Sequence, residues 1–268
     1  MATTLIAFIL GALPFSASAA TGITVLGELT REATLEPGEQ HEGRIVLSNG
    51  SDHAQEVRVY QSDYLFYADG RNVYGDPGTS PRSNARWVTF TPRQLTVAPG
   101  DTAAIYYKIQ VPADKALVGT YWSMLMVEPL GPSDLGPLEA EPGKVKMGLR
   151  TVMRYGVQIT THIGNAGTRD LRFSNLRLVV DGTDRVVQVD VEDVGQAWLN
   201  PTFWVEVRNR EGELVGRFEA AKTRLYPNCS TCCRFELGQL SSGAYNALIV
   251  ADNEDDNVFG AQCTLDIP

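Results

Sequence analysis

The chain has 268 residues, and 32 Asp and Glu against 23 Lys and Arg give it a formal net charge of -9. That balance argues against nucleic acid as a partner, because such binding is dominated by Lys and Arg neutralising phosphates. The length suffices for two domains of ordinary size, each with its own core.

Residues 1–20, MATTLIAFILGALPFSASAA, carry no charge, hold an apolar run from Leu5 to Leu13, and end in the small residues Ala17-Ser18-Ala19-Ala20. This is the outline of a secretory signal peptide. Its apolar run is shorter than the roughly 20 residues of a membrane-spanning helix, and no later segment is long and apolar enough to cross. The expected mature product of about 248 residues is periplasmic or secreted, with no membrane insertion.

From residue 21 onward the legible pattern is alternation of period two. Val57 and Val59 show it, as do Ile105, Tyr107, Ile109 and Val111, then Phe203, Val205 and Val207, and finally Phe259, Ala261, Cys263, Leu265 and Ile267. Clusters such as Glu36-Pro37-Gly38, Asn49-Gly50-Ser51, Asp69-Gly70 and Asp181-Gly182 separate these runs and read as turns. Short strands at this spacing, with no helical period, predict an all-β protein. An internal repeat predicts two copies of one unit. Val97-Ala98-Pro99-Gly100 leads into the strand of Ile105, as Leu225-Tyr226-Pro227-Asn228 leads into that of Phe235, and both copies continue into a Gly-x-Tyr, at Tyr121 and Tyr245. A tyrosine at the start of a penultimate strand suits the tyrosine corner of immunoglobulin-like sandwiches. The fold expected is therefore two tandem immunoglobulin-like β-sandwich domains, residues 21–164 and 168–268. The turn-forming segment IGNAGTRD lies between them. A second irregular stretch, Leu130 to Gly143, reads as a long loop inside the first domain because its Pro and Gly forbid regular structure.

Enzyme signatures are missing, which predicts a non-enzymatic protein without a cofactor. The three histidines, His41, His53 and His162, stand neither in a metal-ligand spacing nor beside a nucleophile motif. The acidic run Asp252 to Asn257 lacks the Gly and spacing of a calcium loop and reads as a solvated hairpin tip. Cys229, Cys232, Cys233 and Cys263 form an even set in an exported chain, which favours structural disulfides over a zinc site or a redox CxxC. Among the three connectivities, parity with Phe235, Leu237, Leu265 and Ile267 turns Cys233 and Cys263 toward the core. That favours Cys233 with Cys263, leaving Cys229 with Cys232.

The most informative segment is VKMGLRTVMRYGVQIT, residues 145–160. In a strand, Val145, Met147, Leu149, Met153, Tyr155 and Val157 share one face. Lys146, Arg150 and Arg154 share the other, at intervals of about 13 Å. This amphipathic strand suits either the last strand of a closed sandwich or a strand lent to a partner.

At this strand the sequence resembles the periplasmic pilus-assembly chaperones. The likeness extends through EPGEQHEGRIVLSNGS, WVTFTPRQLTVAPGD, IQVPAD and GTYWSMLMV. The resemblance implies two immunoglobulin-like domains at an angle and a client, an exported or pilin-like subunit, held by β-strand addition. It implies Val145, Met147 and Leu149 as donor residues, with Arg154 and Arg31 anchoring the client's C-terminal carboxylate. The chain departs from that family in its Arg at the anchor, in the absence of an Arg-Pro closing the donor strand, and in the length of YQSDYLFYADGRNVYGDPGTSPRSNARW. Self-association through the exposed strand is expected when no client is bound. The first domain also resembles domains of WxL-interacting surface proteins around YADGRNVYGDPG and Asn84-Ala85-Arg86-Trp87. The alternative reading is accordingly a structural or adhesive surface module.

Overall fold

The computed structural model describes residues 22–130, 153–181 and 184–267. The signal-peptide segment, most of the loop expected from Leu130 to Gly143, and Val145, Met147 and Leu149 lie outside the described residues. The described residues form strands and no helix.

In chain order the first sandwich contains β1 (Ile23–Leu26), β2 (Thr30–Leu35), β3 (Gln40–Asn49), β4 (Gln55–Phe66), β5 (Asn72–Gly75), β6 (Val88–Thr91), β7 (Gln94–Val97), β8 (Thr102–Gln110), β9 (Gly119–Leu130) and β10 (Tyr155–Ile163). One sheet has the order β1-β3-β8-β6; the other runs β2-β10-β9-β4-β5, with β7 beside the first half of β4. The second sandwich follows with β11 (Leu171–Asp181), β12 (Asp184–Asp193), β13 (Thr202–Arg208), β14 (Leu214–Glu219), β15 (Ser230–Gly238), β16 (Gly243–Asp252) and β17 (Val258–Ile267). Its sheets are β11-β12-β15 and β14-β13-β16-β17. The chain is thus an all-β protein of two tandem immunoglobulin-like sandwiches, and the change from one to the other falls between Ile163 and Leu171.

The alternating residues build the two cores. Val57, Val59, Ile105, Ile109, Val157 and Ile159 meet between the first pair of sheets, and Val189, Phe203, Val205, Val207, Phe235 and Leu265 between the second. Every second residue of a strand faces one way, so two apolar-in, polar-out sheets close on each other at no cost in buried polar groups. Of the two Gly-x-Tyr copies, Tyr245 makes the corner bond, its hydroxyl donating to the Ser241 carbonyl at 2.9 Å. Tyr121 instead packs on Trp87, with the Arg82 guanidinium over its ring.

Asn49, at the end of β3, is fully buried and ties the β3–β4 and β7–β8 turns together. Its amide donates to the carbonyls of His53 and Val97 at 2.8 and 3.0 Å, and its oxygen accepts from the Ser51 N–H and hydroxyl. Asn49→Ala removes the side-chain donor to the buried Val97 carbonyl and the acceptor of the Ser51 N–H and hydroxyl, so we expect a loss of about 2 kcal/mol. A urea midpoint lowered at unchanged m-value is the measurement that checks it.

Candidate functional site: the free edge of β10 and the joint between the sandwiches

β10 has two unequal sides. Along its whole length it is antiparallel to β9, from Tyr155↔Val127 to Ile163↔Gly119. On the other side it is parallel to β2, but that ladder covers only Gln158↔Thr30 to Ile163↔Leu35. The Gln158 N–H donates to the Leu29 carbonyl at 2.7 Å, and Gly156, of the same parity, turns its main-chain groups to the same side. Among the described residues, the β2 side of β10 therefore has no ladder partner from Tyr155 to Val157. Leu29 stands where the ladder stops and Met153 two residues before Tyr155, both large apolar side chains left 44% and 65% exposed.

The anchors expected from the sequence are not brought together. Arg31 pairs in register with Ile159, a core residue, so Arg31 faces the inside of the sandwich at its open end. Its guanidinium lies over Gly27 and donates to the Leu26 carbonyl at 3.3 Å. Arg154 lies five positions before Ile159, about 16 Å along the strand, and has the opposite parity. It sits on the outer face, donating to the Tyr60 hydroxyl at 2.8 Å. In this structure the two guanidinium groups lie on opposite faces of the sheet and are not brought together. Arg154 stands at the end of β10 away from the junction of the domains; Arg31 is next to Glu32, which reaches the junction and pairs with Arg224 of the second sandwich, but Arg31 points to the opposite face of β2.

The expected disulfides are not formed in this structure, where all four cysteines are free. Cys233 and Cys263 both turn toward the second core, as their parity predicted. They come from β15 and β17, however, and β15 lies across from β13 and β14 while β17 lies across from β11. The two thiols occupy opposite corners of the sandwich. Cys229 is buried against Trp122 and Tyr226, whereas Cys232 sits on the outer face with Arg177 Nη2 at 3.6 Å, so this pair is separated too. Burial pushes the Cys229 and Cys233 thiols up to about 12, a range in which neither is a nucleophile.

The sandwiches meet in a packed joint at the far end of β10. Trp122 of β9 donates its indole N–H to the Tyr64 carbonyl at 2.7 Å and packs on Tyr226, whose ring meets Phe66 edge-on. The Ala68 N–H donates to the Ser230 hydroxyl at 3.0 Å. Gly119, at φ 79°, lets the Thr120 N–H reach the Gln196 carbonyl at 2.8 Å; a Cβ there would lie 1.9 Å from that oxygen. The Trp198 N–H donates to Thr120 Oγ1, which also touches His162 Nδ1 at 3.1 Å, and the imidazole stacks on the Trp198 indole. The Arg224 guanidinium covers the other part of that indole and pairs with Glu32 of β2. Beside this stack opens a cleft of about 450 Å³, into which the Asn253-Glu254-Asp255 tip of the β16–β17 hairpin projects. Tyr226, His162 and the Asp252–Asn257 run were noticed in the sequence for other reasons, but nothing there marked them or Trp122, Trp198 and Gln196 as parts of a joint; aromatic character alone does not separate a joint from a core.

Two titratable groups at the joint are displaced in opposite senses. Burial, with Arg169 and Arg224 nearby, holds His162 down to about 4, and its Nε2 has no hydrogen-bond partner. Burial pushes Asp193 up to about 7, against the Gly195 N–H and Arg82, which favour the ionised form; its Oδ2 has no partner. The unfolded chain binds the His162 proton more readily, so this group removes stability as pH falls from about 6.5 to 4. The folded chain binds the Asp193 proton more readily, so this group removes stability as pH rises from about 4 to 7. The two slopes oppose each other in the wild type between about pH 4 and 6.5. We expect His162→Phe, which keeps the stack, to lose stability with rising pH in that window, and Asp193→Asn to lose it with falling pH. Urea midpoints across pH 4 to 8 check both signs. Gly119→Ala, forced against a backbone carbonyl, is expected to cost at least about 2 kcal/mol, with Trp fluorescence of the joint shifting toward that of exposed indole.

No protein-family model and no curated protein matches the chain. Among solved structures it is similar to a chain of a chaperone–tip adhesin complex of CFA/I fimbriae biogenesis. That match has 11% identity and a TM-score of 0.49, and covers 91% of this chain and 98% of that one. It is also similar to the class 5 fimbriae chaperone CfaA, at 12% identity and TM-score 0.46, over 92% and 100% of the two chains. The Pseudomonas aeruginosa CupB2 chaperone is similar at 12% identity and TM-score 0.42, over 91% and 100%.

Proposed function

We propose that this chain is a non-enzymatic, chaperone-like protein that holds an exported, pilin-like subunit by β-strand addition at β10, in the periplasm. The observation that carries the reading is the early end of the β2 ladder. A strand whose N–H and C=O groups point outward with no partner is a template for another strand, and here Tyr155 to Val157 form such a template beside exposed Leu29 and Met153. Natural sandwiches usually shield an edge with charge or proline; this one borders its edge with apolar side chains. Val145, Met147 and Leu149, which share the parity of Tyr155 and Val157, are the donor side chains of this reading. Main-chain bonds then supply affinity, and the alternating side chains supply selectivity.

The test uses the subunit that co-purifies with the chain from its host envelope. Backbone hydrogen exchange at residues 153–158 is expected to slow in the complex, and a Leu29→Asp, Met153→Asp variant is expected to lose binding by about tenfold or more. Both side chains are exposed, so the variant should keep the wild-type circular dichroism. Unchanged exchange at the edge together with unchanged binding by the variant would sink the strand-addition reading.

A further inference from the structure

The long β4–β5 insertion borders a cavity of about 470 Å³ on the outer face of the same sheet, away from the joint and reaching the start of β10 at Arg154. Its floor is the Met126 side chain and Ser62, and Tyr60, Tyr74 and Pro77 wall it. Arg154 and Asp76 stand at the rim. Tyr74 is 57% exposed, although it belongs to a strand and packs on Tyr64 at 5.2 Å between ring centres. Tyr60 is gripped from two directions, with the Arg58 guanidinium over its ring and Arg154 on its hydroxyl.

The wall is held in place by buried polar groups. Asp63, 3% exposed, accepts from the main-chain N–H groups of Gly78, Thr79 and Ser80 at 3.0, 2.8 and 2.7 Å, and from the hydroxyls of Thr79 and Ser83. The buried Ser62 hydroxyl donates to the Gly75 carbonyl at 3.0 Å. A surface loop that merely connected β5 to β6 would need none of these bonds. Their effect is to fix an exposed cavity of mixed polar and apolar lining in one shape before anything enters it, which lowers the ordering cost of binding. Tyrosine, methionine and arginine are also the residue types enriched where protein partners anchor.

We infer that this cavity is a second client contact, one that seats an aromatic side chain with a carboxylate beside it. The inference rests on the client-binding reading above and adds a partner chemistry to it. Two tyrosine rings and a thioether favour an aromatic ring by edge and sulfur contacts. At the rim the Arg154 guanidinium is fully exposed and, among the described residues, its one hydrogen bond is to Tyr60, so further N–H groups remain for a carboxylate. Asp76 at the same rim disfavours a bare anion, and the apolar floor requires the ring as well.

The test is a titration of the isotope-labelled full chain with the capped dipeptide acetyl-Phe-Asp-amide, followed by amide chemical shifts. Acetyl-Phe-Lys-amide, acetyl-Ala-Asp-amide and chitobiose serve as comparison probes. A dipeptide is too short to build a strand ladder, so the result is independent of strand addition. Shifts at Tyr60, Tyr74 and Met126 are expected, with affinity for Phe-Asp about tenfold above either comparison dipeptide. Tyr74→Ala and Arg154→Ala, both at exposed positions, should each abolish that preference. Equal response to the three dipeptides, stronger response to the sugar, or no shift at any probe concentration overturns the inference. Concentration-dependent shifts at these residues without a probe also overturn it, because a second copy of the chain would then fill the cavity. If these variants leave co-purified subunit binding intact while Leu29→Asp, Met153→Asp abolishes it, the cavity proposal fails alone; the reverse pattern removes strand addition and leaves the cavity.

Discussion

The pleat of β10 is the constraint on which the other features depend. Val157, Ile159 and Ile163 belong to the first core, so the intervening residues must face outward. The outward positions then divide by distance along the strand. Arg154 and Gly156 lie over the sheet face near Met126, Thr160 is buried opposite Trp122, and His162 enters the joint. A Cβ at Gly156 would lie 2.5 Å from the Met124 sulfur, so a side chain there requires that methionine to move. A one-residue slip of this strand would exchange its two faces. It would expel Ile159 from the core and break the joint together.

The joint matters because it determines where the free edge sits relative to the second sandwich. Linked domains move against each other by default unless their interface is large and well packed. Here the interface is built from main chain as much as from side chains. The Thr120–Gln196 and Trp198–Thr120 bonds use backbone N–H groups of both domains, and Gly119 lets them approach to a distance that no other residue permits. Aromatic contacts among Trp122, Tyr226 and Phe66 add area around those bonds. A buried imidazole and a buried carboxyl, each with an unpartnered atom, leave this part of the fold dependent on the protonation state of its polar groups.

The strand pattern was readable because it is set by burial, and burial writes period-two alternation directly into the sequence. Val57 with Val59, Phe203 with Val205, and Ile105 with Ile109 were legible for that reason. The second tyrosine corner was legible because Gly243-Ala244-Tyr245 is a local motif; the first failed because Trp87 and Arg82, distant in sequence, offered Tyr121 other contacts. Pairing across the fold was not readable. Parity correctly turned Cys233 and Cys263 inward, but parity does not say which strands face each other, and sheet order put β15 and β17 at opposite corners. The faces of Arg31 and Arg154 were unreadable for the same reason, because a basic residue in an alternating strand reveals its face only once the register with its neighbour is known. Asp63 was missed because a lone acid in a strand gives no sign that it will gather five donors from a loop.

An edge and a face of one sheet present different chemistry to a partner, and this sheet keeps both within reach of one bound chain. In the proposed reading, the ladder positions of β10 would recognise main chain, which every polypeptide possesses, and so would bind without strong selection. The proposed contact in the cavity under Tyr60 and Tyr74 would recognise side-chain shape and charge, which differ among polypeptides. β9 connects the two, since Met126 is paired with Gly156 of β10 on one side and with Tyr60 of β4 on the other. Selectivity in such an arrangement comes from the difference in affinity at the face, while the edge contributes a nearly constant term. The long insertion after β4, out of keeping with a minimal sandwich, then has a physical reason: it walls a shaped cavity beside an unselective edge, and the buried Asp63 keeps that wall from collapsing.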